Sequence, residues 1–271
     1  MKIAIILIAE LTKYFSQLQL LEKMDETLRW RITTFFNYWR QRHAFIRDLD
    51  FSKHSYEANV LLWASLDALS NLWANNIGKQ ECSDRRKRLI FDAFLARYGG
   101  EVFQIVSLPN IWNRIDQGNI CVNQQKKLKL SQDICTFLKT IGGRRTPTFT
   151  DECELRHSSD DWSMDMILTT ILADYPNTDR TELKEWLIFS RYGAIAYKEM
   201  RSAYIHEGRP GKNSHSFELG ESATRPTYLS GIYTTPPKIG FGVEFMLSVL
   251  ASCIDAFEAD ALTLQKDPVP K

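Results

Sequence analysis

Val60-Leu61-Leu62-Trp63-Ala64-Ser65-Leu66-Asp67-Ala68-Leu69 is apolar on nearly every side of a helical wheel. A helix that is apolar all round belongs inside other elements rather than on a surface. Ser52 or Ser55 offers the side-chain oxygen that caps such a helix, so the spacing predicts a central core helix over residues 56–77. Working outward, residues 3–44 carry apolar side chains at helical spacing, among them Leu11, Phe15, Leu18, Ile32, Phe36 and Trp39, which reads as one long or two consecutive helices. On the other side, Ser83 opens a basic-faced helix over 84–98 that Gly99-Gly100 closes, because glycine tolerates the left-handed conformation of a helix end. Ser107-Leu108-Pro109 starts a short helix to Asp116, and further helices are read over 124–141, 161–175, about 181–206 and 242–264. Residues 144–161 are polar and aperiodic, while 214–219 and 227–234 look like two short strands around a turn. The expected class is all-α, mainly a helical bundle, with one small β-hairpin insertion near the C-terminus. Residues 1–50 form an N-terminal helical extension in this reading. Residues 51–271 form one helical domain with a polar loop near 142–161 and the hairpin near 213–236.

The 271 residues can bury a sizeable core without disulfides or metals, and a chain that is 44% hydrophobic and 25% charged should fold rather than remain extended. Lys+Arg 34 against Asp+Glu 33 leaves a formal charge of +1, so no global field draws the protein to nucleic acid and any RNA contact must be local. Cys82, Cys121, Cys135, Cys153 and Cys253 are odd in number, scattered and never in a CxxC pair. That pattern fits reduced thiols and a cytoplasmic location better than a disulfide framework. Glu10 cuts the apolar run 3–9 short of a signal peptide, and no stretch approaches the roughly 18 apolar residues of a membrane span, so no membrane association is expected.

The chemistry concentrates in Tyr197-Lys198-Glu199-Met200-Arg201-Ser202-Ala203-Tyr204-Ile205-His206-Glu207-Gly208-Arg209. Arg201 and His206 lie five positions apart at a helix end, and at about 100° per residue their side chains diverge by about 140°. A frayed end or a second copy of the helix would bring them together. Two readings stand: two cations placed at the negative end of a helix dipole, or a pair that handles phosphate. Asp67 is either the carboxylate that orients Arg201 or an ordinary satisfied core carboxylate. Asp84-Arg85-Arg86-Lys87-Arg88 is either a local RNA groove or a solvated helix face. Gly142-Gly143-Arg144-Arg145 lacks phosphate-loop spacing and reads as a helix stop. Cys153 and His157 have no second ligand pair nearby, so no metal site is expected. The series Trp30, Tyr38, Trp39 and Tyr192, Tyr197, Tyr204 has the spacing of core residues, although Tyr197 and Tyr204 could flank a base if the helix lines a groove.

Arg201-x4-His206 ahead of Gly208, the helix over 61–69, the run Arg88-Leu89-Ile90-Phe91-Asp92-Ala93-Phe94-Leu95-Ala96-Arg97-Tyr98-Gly99 and Ser107-Leu108-Pro109 together resemble the HEPN superfamily over residues 55–261. The resemblance implies a HEPN-like helical bundle and a metal-independent, cofactor-free endoribonuclease, acting as a toxin or anti-phage effector. In such a protein Arg201 would grip the scissile phosphate and His206 would move a proton between the ribose 2′-hydroxyl and the leaving oxygen. Ser202, Tyr197, Tyr204, Glu207 and Asp67 would support them, and Arg209, Arg85, Arg86 and Arg88 would contact RNA. Two motifs would meet across a two-fold homodimer, and an antitoxin or nucleotidyltransferase would be a partner. The alternative under the same resemblance is a non-catalytic dimeric scaffold that binds RNA, a nucleotide or a regulatory protein.

Overall fold

The computed structural model describes residues 25–82, 86–118, 120–123, 126–141, 156–229 and 237–269. The chain is mostly helical. Helix α1 (Glu26–Arg47) starts where Asp25 accepts the Thr27 N–H. Helix α2 (Phe51–Asn75) starts on Asp50, which accepts from Ser52 N and Oγ. The core helix therefore begins five residues earlier than the serine caps suggested, and it kinks at His54 where φ is −121°. Helix α3 (Lys87–Tyr98) begins without a side-chain cap, and the expected cap Ser83 lies outside the described residues. The last helix, which follows the elements described below, runs Val243–Thr263 and packs along α1 and α2. Phe36, Trp63, Trp73, Phe91, Phe94 and Phe257 are fully buried between these four helices. Phe257 meets Phe36 edge-on at 5.2 Å and Phe94 at 6.0 Å. Each such pair adds about 0.5–1.5 kcal/mol beyond its buried area. Of the residues assigned to an N-terminal extension, Glu26–Arg47 thus line this same core.

A second apolar cluster forms around Ile111, Trp112, Leu138, Ile167, Leu183 and Trp186. It joins α4 (Leu108–Asp116), α5 (Gln132–Thr140), α6 (Met164–Asp174) and α7 (Arg180–Leu187). The helix expected over 124–141 is only its last part. A hairpin of β2 (Ile120–Asn123) and β3 (Lys126–Lys129) precedes it, and Ser131 starts the helix by accepting the Ile134 N–H. Leu128 and Leu130 point to the core while Lys129 faces solvent, a period of two that belongs to a strand. A further short pair joins β1 (Ile105–Val106) to β4 (Trp162–Ser163).

The hairpin expected near 213–236 is also corrected. Strands β5 (Ser214–His215) and β6 (Thr227–Leu229) do not pair with each other. Both pair with β7 (Lys238–Gly240), one parallel and one antiparallel, in the order β5-β7-β6. A Cβ at Gly240 would collide with the His215 ring, so the missing side chain is what admits the ring. Residues 230–236 and most of the expected polar loop, 142–155, lie outside the described residues. The described end of that loop is a buried node. The Asp161 carboxylate accepts from Arg156 at 2.5 Å, Tyr192 Oη at 2.7 Å, Tyr228 Oη at 2.5 Å and Leu108 N at 3.2 Å.

His215 is buried and its Nε2 lies 3.1 Å from the Thr227 carbonyl. Burial lowers its pKa, as it does for half-buried His43 beside the Leu247 carbonyl. The unfolded chain takes up these protons near pH 6.5, whereas the folded chain resists them to lower pH. Their contribution to stability is complete above that value and is lost as pH falls. The urea midpoint should drop between about pH 7.5 and 5.5, and His215→Gln, which keeps a donor for Thr227, should lose less over the same interval. Equal losses in both proteins would remove His215 from the explanation.

Candidate functional site

The helix expected over 181–206 is interrupted, and the interruption shapes the site. Helix α7 begins on Asp179, which accepts from Thr181 N and Glu182 N, and gives way to a 3-10 turn, Ile188–Ser190. At Arg191 the backbone is extended, with φ −67° and ψ 147°. The cause is a buried ion pair: Arg191 Nε donates to Asp92 Oδ1 and Oδ2 at 3.1 and 3.0 Å. The Ser190 carbonyl meanwhile accepts from Ser107 N at 2.8 Å. Helix α8 (Tyr192–Ile195) then passes into a π-helical stretch, Ala196–Ser202, and α9 (Ala203–Glu207). Such wide turns are uncommon and concentrate at functional sites.

Arg201 lies in the π-helical stretch. Its Nη2 is 2.7 Å from Oδ2 of Asp67 on α2, with 17% and 13% of the two side chains exposed. The guanidinium sits 5.3 Å from the Tyr197 ring, which packs on Phe91 at 5.5 Å. Burial raises the Tyr197 pKa against the opposing pull of Arg201. The ion pair is single-pronged, because Arg201 Nε and Asp67 Oδ1 are both buried with no hydrogen-bond partner. Behind the motif, buried Glu199 accepts from Asn213 N at 3.2 Å and Asn213 Nδ2 at 3.0 Å, and its carbonyl accepts from Gly211 N at 2.6 Å. The segment after the motif is thereby tied back onto it.

Gly208, at φ 71°, closes α9 in the left-handed conformation and donates its N–H to the Tyr204 carbonyl. Tyr204 is buried, its hydroxyl bonded to Ser216, and burial raises its pKa. Ser202 is half-buried. His206, Glu207 and Arg209 are exposed, with Glu207 and Arg209 3.8 Å apart. His206 makes no hydrogen bond or ion pair among the described residues. The fold therefore brings Asp67, Tyr197 and Arg201 together and presents His206 separately on the helix end.

Against the chain's sequence and fold, no family model, curated protein or solved structure matches. Of the basic run, Arg85 lies outside the described residues, and Arg88 turns inward to donate to the carbonyls of Ala194 at 2.8 Å and Phe189 at 2.7 Å. Arg88 thus holds the bend at 188–195, and Arg86 stacks over the same Phe189 ring at 5.1 Å. Among the described residues no three His, Cys, Asp or Glu side chains gather as a metal site, and no helix is long and apolar enough to cross a membrane. Sequence reasoning missed Glu199 and Asp92. Asp92 interrupts the otherwise apolar Leu89-Ile90-Phe91 and Ala93-Phe94-Leu95, and that break in an apolar face was its signal.

Proposed function

We propose that this chain is a metal-independent endoribonuclease of HEPN type that works as a two-fold homodimer, with Arg201 binding the scissile phosphate and His206 transferring the proton. One observation carries the reading: Asp67 and Tyr197 preset the Arg201 guanidinium next to a helix end that presents an unengaged His206. Neutralising a helix dipole needs only an exposed cation and gives no reason to build a mostly buried ion pair with two unsatisfied atoms. In the reaction, one His206 accepts the 2′-hydroxyl proton, the 2′-oxygen attacks phosphorus, and the bond to the 5′-oxygen breaks. The partner copy's protonated histidine supplies the leaving oxygen with its proton, so the ends are a 2′,3′-cyclic phosphate and a 5′-hydroxyl. Arg201 stabilises the charge that builds on the non-bridging oxygens. Ile205 and Tyr56, 37% and 49% exposed, flank this end as an apolar rim suited to burial against a second copy. Arg209, 77% exposed beside Glu207, is accessible to RNA, and a toxin or anti-phage role, restrained by an antitoxin or nucleotidyltransferase, belongs to this reading. The buried cysteines Cys82, Cys135 and Cys253 suit a reducing, cytoplasmic setting.

The alternative, a non-catalytic dimeric scaffold for RNA, a nucleotide or a regulatory protein, draws on the low exposure of Arg201, whose bond to Asp67 also serves as a tie between helices. The test is incubation of a mixed RNA pool with the full chain in EDTA, alongside light scattering. The expected result is a dimer at micromolar concentration and products ending in 2′,3′-cyclic phosphate. Cleavage that needs a divalent ion, or a monomer that cleaves, would overturn the mechanism; a dimer without cleavage on any RNA would establish the scaffold.

A further inference from the structure

We infer that the cleft between the two apolar clusters is a binding site for a small phosphate monoester, an inference that does not rest on the ribonuclease reading. The cleft, open to solvent on one side, has a volume of about 260 Å³ where α3, α4, the π-helical stretch and the segment after the motif converge. Four of the side chains lining it are cations: Arg88, Arg114, Lys198 and Lys212. They face one carboxylate, Glu199, which is already engaged by both nitrogens of Asn213.

The floor is rigid. Arg88 is fixed on the Ala194 and Phe189 carbonyls, and Arg114 donates to the Trp186 carbonyl and Ser190 Oγ, each at 2.8 Å, with its guanidinium 3.8 Å from the Trp186 ring. These groups hold a positive potential at the base without rearrangement. The rim is less constrained. Lys198 is 57% exposed with only a 3.5 Å contact to Glu199, and exposed Lys212 makes no hydrogen bond or ion pair among the described residues. Two ammonium groups on flexible stems over a fixed cationic floor suit a phosphate dianion. The volume of the cleft suits a single sugar-phosphate or nucleotide unit.

The walls specify the rest of the ligand. Asn110 Oδ1 accepts from Ser190 Oγ at 2.8 Å, and Asn113 Oδ1 accepts from Gln117 Nε2 at 3.0 Å. Both amides are thereby oriented with Nδ2 left as a donor. Asn213 is oriented the opposite way: its Nδ2 is spent on Glu199, which leaves Oδ1 as an acceptor. Two donors and an acceptor near the phosphate position fit the hydroxyls of a sugar or the edge of a base, so sugar phosphates and nucleoside monophosphates share the required chemistry.

Isothermal titration of the full chain with inorganic phosphate, ribose 5-phosphate, AMP and adenosine tests this. At least one monoester should bind with micromolar affinity, inorganic phosphate roughly tenfold or more weakly, and adenosine not at all. Ribose 5-phosphate matching AMP identifies a sugar-phosphate site; AMP alone identifies a nucleotide site. The double variant Lys198→Gln/Lys212→Gln should weaken the monoester by roughly tenfold or more with an unchanged Tm. Asn113→Leu should weaken the monoester while leaving inorganic phosphate as in the wild type. His206→Ala should bind normally, which separates this site from the proposed nuclease centre. Absence of monoester binding at millimolar concentration, adenosine binding as well as AMP, or full affinity in the lysine double variant would overturn the assignment. Loss of oligoribonucleotide binding alone in that variant would overturn it in favour of an RNA contact.

Discussion

His206→Ala should lower RNA cleavage by roughly 10²–10⁴-fold while the protein stays folded, because a proton-transfer group typically contributes that much. His206 is exposed and unbonded among the described residues, so its removal disturbs no packing. At most about 0.3–1 kcal/mol of stability, the worth of a cation at a helix end, should go with it. Arg201→Lys distinguishes the second role. Lysine can still meet Asp67 as a point charge, but it loses the planar fork that a phosphate grips, so cleavage should fall although the fold persists. Cleavage assays with melting curves measure both effects. Full activity in folded His206→Ala would end the catalytic reading.

Arg191→Ala should cost about 3–5 kcal/mol, a large share of the roughly 5–15 kcal/mol that hold a domain together. The variant strands the Asp92 carboxylate, fully buried and already pushed above the usual carboxylate range by burial against the opposing pull of Arg191. Gly193 lies so close that a Cβ there would fall 2.8 Å from Asp92 Oδ1, which leaves little room for a compensating water. A paired replacement, Asp92→Leu with Arg191→Met, removes both charges and should recover most of the loss. Urea unfolding of the three proteins provides the comparison. A single variant that costs less than about 1 kcal/mol would show that the pair behaves like a surface one.

The core was legible where periodicity was strong: Leu62, Trp63, Leu66 and Leu69 of the apolar run 60–69 are buried, although Ala64 is exposed and Val60, Leu61 and Ala68 are half-buried, and the glycine after the motif does end its helix. The break at Arg191 was not, because Tyr192-Gly193-Ala194-Ile195 continues the helical pattern, and the groups that hold the backbone out of it, Asp92, Arg88 and Ser107, come from distant segments. Strands β5 and β6 looked like a hairpin since each is short and near the other in sequence; the element that joins them, β7, arrives after Pro237 and carries no alternation long enough to mark it. At the candidate site, Asp67 stood out as a carboxylate in an apolar helix, and its partner is Arg201. The cleft had no sequence signal because its side chains come from four separated segments whose individual patterns are ordinary.

The carboxylate of Asp161 gathers donors from residues 108, 156, 192 and 228, positions scattered over more than a hundred residues of chain. Leu108 belongs to the second apolar cluster, whereas Tyr192 and Tyr228 belong to the first, so this single carboxylate bridges the two. Without it, buried donors on both sides would be left unpaired, which couples the two clusters so that neither loosens without a cost to the other.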